Sequence, residues 1–345
     1  MGRGALTRMG LEASKCPLFE KDGIKHQRMG DHEGQQSVVR DWTQENSDVE
    51  IDGWGRLKSG VEHVWEANFE ANKKQMGKPG NFMVPIGRPV ETGSKVGRTA
   101  YLVGNGPSIK NHWATMIGLD ELWGCNRIGF YHDKGVKVDY YAVLDAKASD
   151  YYGEAEKAAQ SGATGLFSIF ANPEVTKFFE KAMWFNVWGK QGSNKSLWAK
   201  AQEYAFTRWG ADKFHSLDSG WNVCYSMLHA IYKMGYSKCV LLGMDHAFSG
   251  GYEYFTSNEP WIFKNGEEWV MRKDVKKKYE KTGGVSQHID IRGQVTWSAN
   301  IILMALNMFL TASQFVSKDM EIVNCSEDGI LQAPWIKQDR LENHV

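Results

Sequence analysis

The pattern of hydrophobic and polar positions changes at about residue 99. Before it, apolar residues show no sustained period except across 60–74, where Val61, Trp65 and Phe69 recur every four residues and predict one apolar helix face. Beyond residue 99, short apolar runs alternate with segments of helical periodicity. The apolar runs are 101–103, 122–125, 140–144, 166–170, 184–188, 239–242 and 321–324. The helical segments are 111–119, 150–160, 173–181, 196–209, 219–235 and 297–315.

This alternation is typical of a mostly parallel sheet that is covered by helices on both faces. We therefore predict an α/β protein in which residues 96–332 form a Rossmann-like, doubly wound domain. Residues 1–95 are predicted to be an irregular extension with one docked helix, and residues 333–345 a tail. Segment 249–291 interrupts the alternation, and its basic stretch 272–278 indicates either a solvated helix face or part of a lid over an anionic ligand.

Composition, charge and cysteine content argue against several classes of protein. A hydrophobic content of 42% and a charged content of 24% indicate a globular chain. Lys and Arg total 41, as do Asp and Glu, so net charge favours neither nucleic acid nor an anionic membrane as partner. No apolar run approaches the roughly 20 residues that span a bilayer, and the N-terminus lacks the apolar core of a secretory signal. The 5 scattered cysteines include no C-x-x-C pair, so we expect a reducing, cytoplasmic location without a disulfide framework.

Polar residues follow several predicted strands and open the clearest predicted helix. Ligands bind outside the carboxyl ends of strands in open parallel sheets, so these positions predict a nucleotide site. The glycines at 104 and 106 allow a sharp turn and a close backbone approach, and the sequence DSG at 218–220 predicts a helix N-cap. The predicted site residues at these positions are Gly104, Asn105, Gly106, Ser108, Asn126, Asp145, Asp218, Ser219, Gly220 and Asp245.

The order of the motifs GNGPS, CNR, VLD, DSG and YSKCVLLGMD resembles a group of Rossmann-like transferases. That group includes bacterial sialyltransferases, proteins like the archaeal 6-hydroxymethylpterin diphosphokinase, and many phage and flagellar-glycosylation proteins. The resemblance covers 99–248 and extends more weakly to about 332. It implies a nucleotide-dependent transferase, in the first place a glycosyltransferase with a CMP-activated sugar as donor and a hydroxyl group as acceptor.

The resemblance also implies roles for single residues. Asn105 and Ser108 match the turn that faces the nucleotide phosphate and sugar, and Asn126 matches an asparagine that contacts the nucleotide. Ser219 and Gly220 match the loop that holds the nucleotide from the other side.

Further roles come from the region after the GMD motif. Tyr252 and Tyr254 correspond, with a displaced match, to tyrosines near the leaving phosphate. His288 is the histidine implied as general base, and His246 is its rival. Imidazole suits this role because its pKa of about 6.5 lets it accept a hydroxyl proton near neutrality.

Two alternatives stay open. Asp145 stands where sialyltransferases have asparagine, and a carboxylate facing a phosphate normally needs a cation between them. This favours an ATP-dependent pyrophosphokinase in which Asp145, Asp218 and Asp245 hold Mg²⁺. The other alternative is a phage virion or assembly protein with a vestigial site, whose N-terminal extension contacts a virion partner or a second copy of the chain. Neither a sequence-specific nucleic-acid partner nor a membrane span is expected.

Overall fold

The computed structural model describes residues 62–85, 95–144, 152–187, 195–211, 216–217, 222–266, 268–280 and 283–345. The strands are β1 Asn81–Met83, β2 Thr99–Val103, β3 Leu122–Cys125, β4 Tyr140–Val143, β5 Thr164–Ser168, β6 Ala182–Val187, β7 Ser216–Leu217, β8 Lys238–Leu242, β9 Ile262–Asn265, β10 Glu268–Met271, β11 Val285–Ile289, β12 Val295–Ala299, β13 Glu321–Asn324 and β14 Lys337–Gln338. The α-helices are α1 Glu62–Met76, α2 Tyr152–Gln160, α3 Pro173–Thr176, α4 Lys195–Trp209, α5 Val223–Lys233, α6 Lys273–Glu280 and α7 Asn300–Val316.

A parallel sheet dominates the fold. Its strand order is β1-β6-β5-β4-β3-β2-β8-β13-β14, with β7 beside β6, and every pairing in it is parallel. Each predicted apolar run overlaps one of these strands. The predicted α/β, Rossmann-like, mostly parallel architecture is confirmed.

Both faces of the sheet are buried, which explains why its strands are continuous apolar runs. Successive side chains of a strand point to opposite faces. Along β2, Tyr101 and Val103 therefore join the core on the side of α1 to α4, whereas Ala100 and Leu102 join the core beneath α5 and α7.

Three predicted helices differ from the structure, and that at 173–181 is reduced to the single turn of α3. Within 111–119 the chain forms turns that follow a short 3-10 helix, Pro107–Asn111, and Gly118 has a left-handed φ of 87°. An α-helix cannot continue through that conformation. The predicted helix 297–315 begins only at Asn300, because its first residues complete β12.

Helix α1 packs on the sheet through buried Trp65 and Phe69. Its Asn72 side chain is fully buried, donates to the carbonyl oxygens of Ile169 and Ala171 at 3.2 and 2.9 Å, and accepts from the Thr176 hydroxyl at 2.8 Å. These bonds fix α1 to the segment between β5 and α3.

Segment 249–291 contains the antiparallel hairpin β9–β10, helix α6, and strand β11, which pairs antiparallel with β12. A separate small core that includes Phe248, Val275 and Tyr279 holds these elements together. The basic stretch lies mostly on α6, whose lysines are exposed while Val275 and Tyr279 are buried. Among the described residues, no helix combines the length and the apolarity that a membrane crossing requires.

Candidate functional site

The turn after β2 lies directly on the turn after β8. The backbone N–H of Gly104 donates to Leu242 and that of Gly106 to Gly243, both at 2.8 Å. A Cβ atom at Gly104 would come within 2.5 Å of the Gly243 carbonyl oxygen, and one at Gly106 within 2.5 Å of a carboxylate oxygen of Asp245. The glycines thus permit close packing of two turns of the protein itself.

Ser108 and Asp245 bind each other across these turns. Asp245 is 1% exposed, and its carboxylate accepts the backbone N–H of Ser108 at 2.9 Å and also the Ser108 hydroxyl. Burial raises the pKa of Asp245 to about 6, Asp328 adds to the rise, and the bonds from Ser108 oppose it. Ser108 and Asp245, both predicted site residues, therefore hold the turn after β2 against the turn after β8.

Asn105 connects three segments at the same sheet edge. Its side-chain oxygen accepts the backbone N–H of Arg127 at 3.2 Å, and its amide nitrogen lies 3.3 Å from the sulfur of Cys125. Its backbone oxygen accepts the N–H of Phe255 at 3.2 Å. Asn105 thus joins the end of β2 to the end of β3 and to the loop that carries Tyr252 and Tyr254.

Asn126, directly after β3, has a left-handed φ of 48°, a conformation that asparagine tolerates better than most residues. Its backbone oxygen accepts the Tyr141 hydroxyl at 2.5 Å. This strained turn places Arg127 beside Asn105.

The N-terminus of helix α5 also lies at this sheet edge, beside the end of β3. The sulfur of Cys224, in the first turn of α5, lies 3.8 Å from that of Cys125. The side chain of Asn222 caps the helix by accepting the Cys224 N–H at 2.9 Å. The backbone N–H groups and the dipole at a helix N-terminus attract anions.

The two predicted tyrosines each pair with a cation from a strand-end turn. The Lys110 ammonium lies 4.1 Å from the centre of the Tyr252 ring, and the Arg127 guanidinium lies 5.0 Å from that of Tyr254. Lys110 is a positive group at this edge that sequence reasoning did not single out, and Arg127, part of the CNR motif, received no role of its own. Their signal was their position, a few residues after β2 and β3.

Neither candidate base takes part in the contacts described above. The His246 ring is buried 5.9 Å from the ring of Phe309 on α7, and burial lowers its pKa to about 4. His288 lies on β11, where its Nε2 is 2.8 Å from the Ser286 hydroxyl and its Cα pairs with that of Thr296.

The remaining predicted residues, Asp145, Asp218, Ser219 and Gly220, lie outside the described residues. The structure therefore brings together Gly104, Asn105, Gly106, Ser108, Asn126, Asp245, Tyr252 and Tyr254 at one sheet edge, and leaves His246 and His288 outside that cluster.

Comparison with known proteins gives one informative similarity. The structure of MAf glycosyltransferase from Magnetospirillum magneticum AMB-1 matches with a TM-score of 0.51 and 17% sequence identity, over 80% of this chain and 38% of that one. The chain thus spans well under half the length of that protein, and a similarity at this identity establishes the fold. No family model and no curated protein sequence matches the chain.

Proposed function

We propose that this protein transfers a sugar from a nucleotide-activated donor to a hydroxyl acceptor. The observation that carries the proposal is the three-way connection at Asn105, which gathers a guanidinium, a tyrosine and a helix N-terminus at one sheet edge. The glycosyltransferase fold of the matching structure supports it. CMP as the nucleotide rests on the motif resemblance.

The site lies where α/β sheets commonly bind nucleotides. Strand β2 has β3 on one side and β8 on the other, so the chain winds away in opposite directions from this point. Ligands bind in the crevice at such a switch in strand order. Arg127 and Lys110 supply positive charge there, and the N-terminus of α5 adds oriented N–H groups. This combination suits a phosphate diester that leaves as a monoester with one more negative charge.

The proposed step forms a bond between the acceptor oxygen and the anomeric carbon of the donor sugar. The bond from that carbon to the phosphate oxygen breaks, and the electron pair leaves with the nucleotide. The acceptor proton passes to a histidine. His246 is the poorer candidate for this role, because its ring is in the core with a pKa of about 4 and is a weak base at neutral pH. His288 is the base that the motif resemblance implies, and because it lies on β11 outside the Asn105 cluster, its role stays a prediction.

The Mg²⁺-dependent alternative fits the described residues less well. It needs carboxylates that are open to a cation, but both oxygens of Asp245 accept hydrogen bonds from Ser108 and the side chain is buried. The other two carboxylates of this alternative, Asp145 and Asp218, lie outside the described residues, and so outside the part of the chain in which no group of three His, Cys, Asp or Glu could hold a metal ion. The role of the N-terminal extension in an assembly stays a prediction.

Calorimetric titration with CMP, CTP, UDP and ATP, each with and without Mg²⁺, tests the proposal. We expect the tightest binding from a cytidine nucleotide, and no binding of any nucleotide would contradict both enzyme hypotheses. ATP preference that depends on Mg²⁺ would select the pyrophosphokinase.

A matched pair of variants locates the binding. Asn105→Asp keeps the oxygen that accepts the Arg127 N–H but adds a negative charge facing the phosphate, so it should weaken nucleotide binding at least about tenfold. Asn265→Asp makes the same change on the exposed strand β9 and should leave binding unchanged. Equal affinities for the two variants would remove Asn105 from the site.

A further inference from the structure

A cavity of about 440 Å³ lies between segment 249–291, strand β12 and the loop after β13. Its walls come from the turn at Phe248–Gly251, from hairpin β9–β10 and from strand β12 with the loop that precedes it. Sites for small organic ligands commonly occupy about 300–1,000 Å³, so this cavity has room for one or two sugar rings.

One wall of the cavity is polar and ordered by ion pairs. The Arg292 guanidinium bridges two carboxylates, with a nitrogen 3.2 Å from Asp290 and 2.9 Å from Asp328. Asp290 is almost fully buried, and one of its oxygens also accepts the backbone N–H groups of Arg292 and Gln294 at 2.9 and 2.7 Å. Asp290 therefore holds the loop, whereas Asp328 and Arg292 are more open to a ligand.

The other walls are aromatic. Phe248, Trp269 and Trp297 all line the cavity. The indole N–H of Trp297 is buried and has no hydrogen-bond partner among the described residues. A buried donor without an acceptor is costly unless a ligand or water satisfies it.

The cavity adjoins the turn after β8, which contains Asp245. Gly329, next to Asp328, lies against the backbone of Asp245, where a Cβ at residue 329 would come within 2.2 Å of the Asp245 oxygen. The backbone N–H of Ile330 donates to that same oxygen at 2.8 Å. One wall of the cavity is thus tied to the turn whose carboxylate holds Ser108.

We propose that this cavity binds the saccharide acceptor of the transfer reaction, an inference that rests on the proposed function. Indole rings stack on the C–H faces of a sugar, while the Asp328 carboxylate accepts a hydroxyl hydrogen bond. The charged residues that line the cavity are two acidic ones, Asp290 and Asp328, and two basic ones, Arg292 and Lys264, so their formal charges sum to zero. This balance suits a neutral polyhydroxyl ring better than a phosphate group.

The experiment is saturation-transfer-difference NMR on the full chain, with methyl glycosides of glucose, galactose, N-acetylglucosamine and N-acetylgalactosamine, each alone and with CMP. We expect at least one glycoside to receive saturation through its ring C–H groups. No transfer to any of the four, with or without CMP, would overturn the proposal.

Variants tie a positive result to the cavity. Trp297→Ala removes an indole ring that lines the cavity and should raise the Kd of the bound glycoside about tenfold. Trp269→Ala removes a half-buried ring and should raise it about tenfold. Trp335→Ala makes the same change outside the cavity, where the indole bonds Ser313, and should leave the Kd unchanged. Equal Kd values in all three variants and the wild type would overturn the proposal.

The two proposals fail in different ways. Glycoside binding at the cavity together with no nucleotide binding would contradict the transferase function and leave a saccharide site. Nucleotide binding that Asn105→Asp weakens, with no glycoside binding, would overturn the acceptor site alone.

Discussion

The carboxylate of Asp245 and the hydroxyl and backbone N–H of Ser108 form a two-point contact between residues that are 137 positions apart in the chain. Each residue follows a strand of the central pair β2–β8, and each is more than nine-tenths buried. Their contact joins the two halves of the sheet at the switch in strand order. Both residues thereby fix the two turns at this sheet edge through the protein's own hydrogen bonds.

The first prediction concerns pH. Burial raises the pKa of Asp245 from its ordinary 3.8 to about 6 in the folded protein, so folding favours the protonated carboxyl. The stabilisation is therefore complete below about pH 4 and is lost as pH rises through about 6. Two pKa units correspond to about 3 kcal/mol. The free energy of unfolding of the wild type, minus that of Asp245→Asn, should fall by this order between pH 4 and pH 7.5.

Denaturant titrations at several pH values measure this difference, and subtraction of the variant cancels the other titrating groups. Ser108→Ala removes one donor to the carboxylate and should move the transition to higher pH. A difference that stays constant from pH 4 to pH 7.5 would show that Asp245 does not titrate in this range.

The second prediction concerns Gly106. Its φ of −64° and ψ of 152° are open to any residue, so Gly106→Ala introduces no conformational strain. The new Cβ would instead meet an Asp245 oxygen at 2.5 Å and the Gly243 oxygen at 2.6 Å. We expect a loss of about 1–3 kcal/mol in the free energy of unfolding.

Gly153→Ala is the control for this change. Gly153 lies in α2, where a Cβ would have open space within 4 Å apart from its chain neighbours and the backbone of its own helix. Alanine should therefore stabilise the protein by up to about 1 kcal/mol. Similar effects of the two substitutions, measured by denaturant unfolding, would show that the contact at Gly106 relaxes without cost.

The sheet could be predicted because it is buried on both faces. Its central strands appear in the sequence as isolated apolar runs, and the polar residues at their ends predict which edge would bind a ligand. Strand β1 could not be found in this way, because it has only three residues and its partner β6 lies about a hundred positions away. Hairpins β9–β10 and β11–β12 pack on their own small core, and their exposed positions hide the alternation.

The sequence could predict where the candidate site residues lie along the chain, but not which side chains contact each other. The motif order predicts roles for Asn105 and Asn126, which lie after neighbouring strands, but a local pattern cannot show that Ser108 and Asp245 bind each other across 137 positions. Nor can it show that Lys110 and Arg127 lie over tyrosines from a distant loop. Such contacts depend on tertiary packing, which brings together turns that are unrelated in sequence.

The third prediction tests the docking of α1. Asn72→Ala removes two hydrogen bonds to backbone oxygens and one from Thr176, all in a fully buried place. Leaving those groups unpaired should lower the free energy of unfolding by about 2–4 kcal/mol. Limited proteolysis should then cut near α1 sooner than in the wild type. Lys74→Ala, on the exposed face of the same helix, should change neither readout, and an equally stable Asn72→Ala variant would contradict the docking role.

The fourth prediction concerns Arg127, the guanidinium that lies over Tyr254 beside Asn105. If it binds the nucleotide phosphate, Arg127→Ala should raise the Kd for CMP about tenfold or more, because a charge-assisted hydrogen bond to phosphate is lost. Arg127→Lys keeps the charge without the planar group and should fall between the alanine variant and the wild type.

Titration calorimetry at low and high salt gives the decisive measurement for Arg127. Wild-type affinity for CMP should fall with added salt, and the Arg127→Ala variant should show a smaller fall because one of the screened charges is gone. Arg340→Ala, which removes an exposed guanidinium near the chain end, should match the wild type in Kd and in salt dependence. If Arg127→Ala also matches the wild type, the phosphate lies elsewhere, and the N-terminus of α5 without Arg127 must account for nucleotide binding.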